Sequence, residues 1–143
     1  MSQAPPRGPM KPTQKSRVRD FMIPKPVVFA ADMDLLEAAR VLADRQISGA
    51  PVVDEKGTLI GVLTERDYLE AALIAGYHGE GGGRVRDHMS CEVQAVSVDD
   101  TLLDVATRFV NSKHRRFPVM EDNRVVGLVT RRDVLKAVLA SAS

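Results

Sequence analysis

The chain has 143 residues, 44% of them hydrophobic and 27% charged, with a formal net charge of +1. That length carries a self-sufficient core. The near-neutral balance argues against a dedicated nucleic-acid binder, and no apolar run reaches the roughly 20 residues that span a bilayer. Aromatics are 4% with no Trp, so Val, Leu, Ile and Ala must build the core. The lone Cys91 cannot form an internal disulfide, which suits a reducing cytoplasm, and no secretory h-region opens the sequence.

Residues 1–17 hold four of the eight prolines, four basic residues and no acid. Such a stretch buries little apolar surface, and the expectation is a mobile, solvated tail.

From Val18 onward the chain repeats itself. "VRDFM" at Val18 returns as "VRDHM" at Val85, and in the same register Asp32, Leu35, Pro51 and Val52 meet Asp99, Leu102, Pro118 and Val119. After a one-residue deletion, Gly61, Thr64, Asp67 and Leu69 meet Gly127, Thr130, Asp133 and Leu135. The sequence is thus a duplicated unit, residues 18–75 and 85–140, with a short end at 141–143. Between the copies, residues 76–84 contain five glycines and read as a flexible linker.

Each copy predicts β-α-β-β-α. "KPVVFA" and "EVQAVSV" are strand candidates. Asp32 and Asp99 stand where helix N-caps belong. The following helices carry stripes at Leu35, Leu36, Ala39, Leu42 and Ala43, and at Leu102, Leu103, Ala106, Phe109 and Val110. Then "APVVD" and "LIGVLT", or "FPVME" and "VVGLVT", form two strands about a short turn. A last helix starts at Thr64 or Thr130 and carries Leu69, Ala72 and Leu73, or Leu135, Val138 and Leu139. The fold class is α+β, two such repeats covering each other with pseudo-two-fold symmetry.

The "TERD" and "TRRD" stretches, Thr64–Asp67 and Thr130–Asp133, resemble capping boxes. A box prefers Glu at its third helical position, since Asp is a methylene short for the reach back to the cap. A carboxylate beside a hydroxyl in a first helical turn also offers two acceptors for ribose hydroxyls. The two roles are compatible.

A head of "VRDxM", a strand containing proline and a closing "GhhTxxD", twice in register, resemble a tandem pair of cystathionine-β-synthase (CBS) domains. The resemblance spans about Val18 to Leu139. It implies a regulatory, non-enzymatic module whose inter-repeat clefts take adenosyl ligands: AMP, ADP, ATP, NAD or S-adenosylmethionine, with no cofactor required. It also implies homodimers and a regulated partner protein. Carried over, one cleft would join Thr64 and Asp67 to Val93, Arg115, Arg116, Phe117 and Pro118. The other would join Thr130 and Asp133 to Val27, Val28, Ser48, Ala50 and Pro51. The apolar members would sandwich adenine.

Arg115 and Arg116 stand where the first copy has Ser48 and Gly49. Guanidinium forks bind phosphate bidentately, so the Asp67 cleft is expected to prefer phosphorylated nucleotides. The bland alternative pairs these arginines with Glu121 and Asp122. Two other functions stay open: an interaction module with vestigial clefts, and nucleic-acid binding through the tail with Arg115 and Arg116. His78, His88 and His114 lack metal-ligand spacing, and Cys91 lacks an acid–base partner.

Overall fold

The computed structural model describes residues 16–75 and 83–142. The expectations for residues 1–15, for the linker over 76–82 with His78, and for Ser143 lie outside them. The chain folds as two compact units. The first-repeat unit holds residues 26–75 and 83–93 with Asn123–Val125; the second-repeat unit holds residues 16–25, Gln94–Asp122 and residues 126–142.

In the first-repeat unit, β2 (Phe29–Ala30) leads through α2 (Leu35–Arg45) to β3 (Gly49–Val53), which runs parallel to β2. A parallel return needs such a crossover. β3 turns into antiparallel β4 (Leu59–Thr64), and α3 (Glu65–Ile74) follows. The turn is set by Asp54, whose Oδ1 accepts the N–H groups of Lys56 and Thr58 at 2.8 and 3.0 Å, and by Gly57 at φ +84°.

The second-repeat unit repeats the pattern with β5 (Val96–Ser97), α5 (Leu102–Val110), β6 (Arg116–Glu121), β7 (Arg124–Thr130) and α6 (Arg131–Ser141). Asp122 and Asn123 take positive φ between β6 and β7, residue types that tolerate the left-handed turn a tight hairpin requires. A further short strand, β1 (Ile23–Pro24), pairs antiparallel with β7, giving the order β1-β7-β6-β5. Only the ends of the expected first strands pair. β2 meets β3 at Val52 and Val53, and β5 meets β6 at Val119 and Met120. Pro51 and Pro118 sit just before those pairs, because a residue without an N–H interrupts a ladder.

The repeat heads are exchanged between the units. α1 (Val18–Phe21) lies in the second-repeat unit: the Val18 N–H donates to Asp100 O at 2.9 Å and the Arg19 N–H to Val98 O at 3.2 Å. α4 (Val85–His88) lies in the first-repeat unit, with Val85 N–H donating to Met33 O at 2.9 Å and Arg86 N–H to Ala31 O at 3.0 Å. Val18 and Val85 are both fully buried, Val18 with Val98, Leu102, Phe117 and Val134, Val85 with Phe29, Leu35, Leu42 and Leu63. Each burial contributes about 1.5–3 kcal/mol. Ser16 and Arg17, expected in the tail, join this arrangement: the Leu102 N–H donates to Ser16 O, and Arg17 bridges Thr101. Gly83 and Arg84, expected in the linker, likewise hold Leu35 and Asp34.

The helix starts differ from expectation. Asp34 and Thr101 are the N-caps, accepting the N–H groups of Glu37 and Asp104. Asp32 and Asp99 instead hold the heads. Asp32 pairs with Arg86 and gives its carbonyl to Arg84 at 2.7 Å; Asp99 pairs with Arg19 at 3.1 Å and gives its carbonyl to Arg17 at 3.2 Å. The buried faces are Leu35, Ala38 and Leu42, and Leu102, Val105 and Phe109, whereas Ala43, Leu103 and Val110 are exposed. On α3 and α6 the inward residues are Ala71 and Val134, and the expected leucines face outward.

Candidate ligand-binding site

β4 and β7 end on Thr64 and Thr130, each an extended N-cap at ψ 164° and 163°. The Thr64 N–H donates to Asp67 Oδ2 at 2.9 Å, and the Asp67 N–H returns to Thr64 Oγ1 at 3.2 Å. In the second copy the Thr130 N–H and hydroxyl both donate to Asp133 Oδ2 at 2.9 Å, and the Asp133 N–H donates to Thr130 Oγ1 at 3.1 Å. The expectation that Asp falls short of a capping box is therefore overturned. An extended cap brings its own amide close enough for the shorter side chain. Asp104 closes the same box on Thr101, and Asp20 and Asp87 reach the amides of Arg17 and Arg84. The box explains the Thr and Asp as helix starts. Both Asp67 and Asp133 remain half-buried, and their bonds among the described residues fall on Oδ2.

Each Thr–Asp pair adjoins the pre-proline segment of its own repeat. The Glu65 N–H donates to Ser48 O at 2.9 Å, and Gly49 registers with Thr64. The Arg131 N–H donates to Arg115 O at 3.1 Å, and Arg131 Nη2 donates to Ser112 O at 3.1 Å. Ser48, Ala50 and Pro51 thus accompany Thr64 and Asp67 in one unit. Arg115, Arg116, Phe117 and Pro118 accompany Thr130 and Asp133 in the other.

Phe117, Pro118, Ala50 and Pro51 are buried. The Phe117 ring stacks 4.4 Å from Phe109 between centroids, with the Arg108 guanidinium 5.1 Å from its centre, so it packs as a core residue. Among the apolar candidates, Val28 is 40% exposed and Val27 and Val93 are half-buried.

Arg115 does not pair with Glu121 or Asp122 as the bland alternative required. Glu121 is taken by Arg19 at 3.1 Å. Arg115, Arg131 and Arg132 are exposed, and no described residue forms an ion pair with them. Arg131 and Arg132 are candidates from the sequence itself; the bond from Arg131 to Ser112 is a contact between loop and helix that sequence spacing does not encode. The head arginines were also missed as anchors, although "VRD" in both copies was the available signal. His114 sits 5.9 Å from the Phe117 ring, Cys91 is exposed, and no metal-ligating cluster occurs among the described residues.

The sequence pattern of the CBS domain matches residues 18–74 and 85–140. An uncharacterized protein of Methanocaldococcus jannaschii, MJ1225, is 30% identical over 119 residues, covering 83% of this chain; the chain spans 41% of that relative. The crystal structure of CBSX2 from Arabidopsis thaliana in complex with AMP superposes with a TM-score of 0.75 at 30% identity, over 87% of this chain and 97% of that one. The CBS domain pair of MJ0100, solved with 5′-methylthioadenosine and S-adenosyl-L-methionine, gives 0.71 at 27% identity, over 87% and 97%. Two matched copies, their strand order and this likeness over nearly the whole described chain make the protein a member of the CBS domain family, carrying a tandem pair.

Proposed function

We propose that the pair is a regulatory sensor of adenosyl ligands, and that its two halves differ in what they hold. What carries this is a set of three exposed arginines in the repeat of half-buried Asp133: Arg131 and Arg132 in the same first helical turn, and Arg115, whose carbonyl accepts the Arg131 N–H; none has a carboxylate partner among the described residues. Asp133 and Thr130 accept ribose hydroxyls while the arginines hold phosphate. Each charge-assisted bond is worth about 1.5–3 kcal/mol, or roughly one to two decades of affinity. The bond from the Arg131 N–H to Arg115 O supports a phosphate preference at the Asp133 set, where the sequence pointed to the Asp67 set. Thr64, Asp67 and Ser48 offer hydroxyl and carboxylate beside a single guanidinium, Arg66, which contacts Glu70 at 4.0 Å; this suits an adenosyl group lacking phosphate. Val27, Val28 and Val93 supply apolar contact to adenine.

Binding then works by differential affinity: the ligand favours one arrangement of the protein and shifts self-association or a partner contact. The AMP complex of CBSX2 and the S-adenosylmethionine complex of MJ0100 support both ligand classes. The test is a thermal-shift series with adenosine, AMP, ADP, ATP and S-adenosylmethionine. AMP should raise Tm more than adenosine, and Arg115→Ala should erase that difference. No shift with any of them at millimolar concentration overturns the reading.

A second reading, an interaction module with unused sites, is favoured by the closed capping boxes and the buried Phe117 and Ala50. It expects self-association with no ligand response.

A further inference from the structure

The loop between α5 and β6, residues 111–115, is tied from within and from outside. Within it, the His114 N–H donates to Ser112 Oγ at 3.0 Å, a serine turn, and the Ser112 N–H donates back to Phe109 O at 3.3 Å. Arg131, the first residue of α6, holds it from outside at two points. Its Nη2 donates to Ser112 O at 3.1 Å, and its N–H donates to Arg115 O at 3.1 Å. Ser112 is half-buried, whereas Lys113, His114 and Arg115 are exposed.

The first repeat closes the same place differently. In register, Arg45, Gln46, Ile47 and Ser48 stand for Ser112, Lys113, His114 and Arg115, and Glu65 stands for Arg131. The backbone bond recurs, since the Glu65 N–H donates to Ser48 O at 2.9 Å. The serine turn does not. Gln46 turns left-handed at φ +57°, and the N–H groups of Gln46 and Ile47 return to Ala43 O and Leu42 O at 3.2 and 3.0 Å. An ionised glutamate accepts hydrogen bonds but donates none, so a side-chain tie from helix to loop belongs to the second repeat.

We infer that Ser112 is a positioning residue for ligand phosphate, acting through Arg131 and Arg115; this rests on the reading that the Asp133 set holds phosphate. By taking the His114 amide, the Ser112 hydroxyl fixes where the Ser112 carbonyl points. That carbonyl holds one edge of the Arg131 guanidinium, whose other N–H groups are left for an anion. The Arg115 side chain leaves a backbone whose carbonyl is tied to the same residue. A long side chain ordered before the ligand arrives loses less freedom on binding, worth roughly 2–10-fold in affinity.

The test measures Kd for AMP and for adenosine by isothermal titration calorimetry on the full chain. Ser112→Ala removes the turn acceptor and leaves every arginine in place. It should reduce the preference for AMP over adenosine by roughly 2–10-fold with adenosine affinity unchanged, and Ser112→Thr should restore it. In an Arg131→Ala background, Ser112→Ala should alter that preference by less than about twofold, because the effect runs through the guanidinium. If Ser112→Ala keeps the original preference, or weakens AMP and adenosine alike, the role of Ser112 is overturned and the sensor reading stands. If the unaltered chain binds AMP no tighter than adenosine, the phosphate reading fails and this inference falls with it.

Discussion

Met22 lies against the face of Gly127, so close that a β-carbon there would stand 2.4 Å from its Sδ. Met89 does the same to Gly61, at 2.6 Å, with Ser90 O at 2.9 Å. The methionine closing each "VRDxM" head thus fits only a glycine in the "GhhTxxD" motif of the same unit. A thioether tip can swing aside, but the Ser90 carbonyl is held by the Val62 N–H at 2.9 Å, and the Ser90 N–H donates back to Val62 O at 2.9 Å. Gly61→Ala should therefore lower stability by about 1–3 kcal/mol, and Gly127→Ala by less, since Ile23 O stands at 3.0 Å on a two-residue edge strand. Urea unfolding of the two variants checks the order; equal losses would show that the carbonyl is not what resists.

The exchanged heads make each repeat incomplete alone. A fragment of residues 18–75 lacks Val85, whose side chain is wholly enclosed by the first-repeat core. It should fail to unfold cooperatively, whereas Val85→Ala in the whole chain should cost about 2 kcal/mol. Sharp calorimetric melting of the fragment would contradict the exchange.

Asp104 gives a pH handle. The Thr101 amide, and then its hydroxyl, hold the Asp104 carboxyl below the usual carboxylate range. A depressed folded pKa adds stability that is present above the unfolded value of about 3.9 and fades as pH falls through the folded one. Between neutral pH and pH 5 the Asp104→Asn difference should stay constant, then shrink in stronger acid. A difference that grows with acid would reverse the sign.

Capping and ligand contact at Asp133 are separable. Asn keeps an oxygen for the Thr130 amide but loses the charge, so Asp133→Asn should cost under about 1 kcal/mol, while Asp133→Ala costs more. Both should reduce the thermal shift with AMP. An intact shift in the Ala variant would confine Asp133 to its capping role.

The duplication, the order of elements and the Thr–Asp stretches were legible because they are local or repeat in register. Helix starts were less so: Asp32 and Asp34 are both credible caps, and the choice falls to Arg86, which claims Asp32 from far along the chain. The expected stripes held at Leu35, Leu42, Leu102 and Phe109 and failed at Ala43, Leu103 and Val110, where the core takes Ala38 and Val105 instead. Arg115 and Arg131 were both visible as phosphate candidates, but the contact between them was not. Only folding shows the Arg115 carbonyl receiving the amide of Arg131, in the same unit as Asp133. Phe117 read as a ligand-facing ring because an isolated sequence cannot show Phe109 already stacked on it.

Because Val18 is housed by residues as distant as Val134, it is synthesised long before its berth exists. At roughly 5–20 residues per second, the nascent chain carries this valine unsheltered for on the order of ten seconds. Val85, by contrast, emerges after most of the segment that receives it. Translation therefore brings most of the first-repeat unit together early and leaves Val18 waiting, which makes α1 the segment where a chaperone would find this fold unfinished.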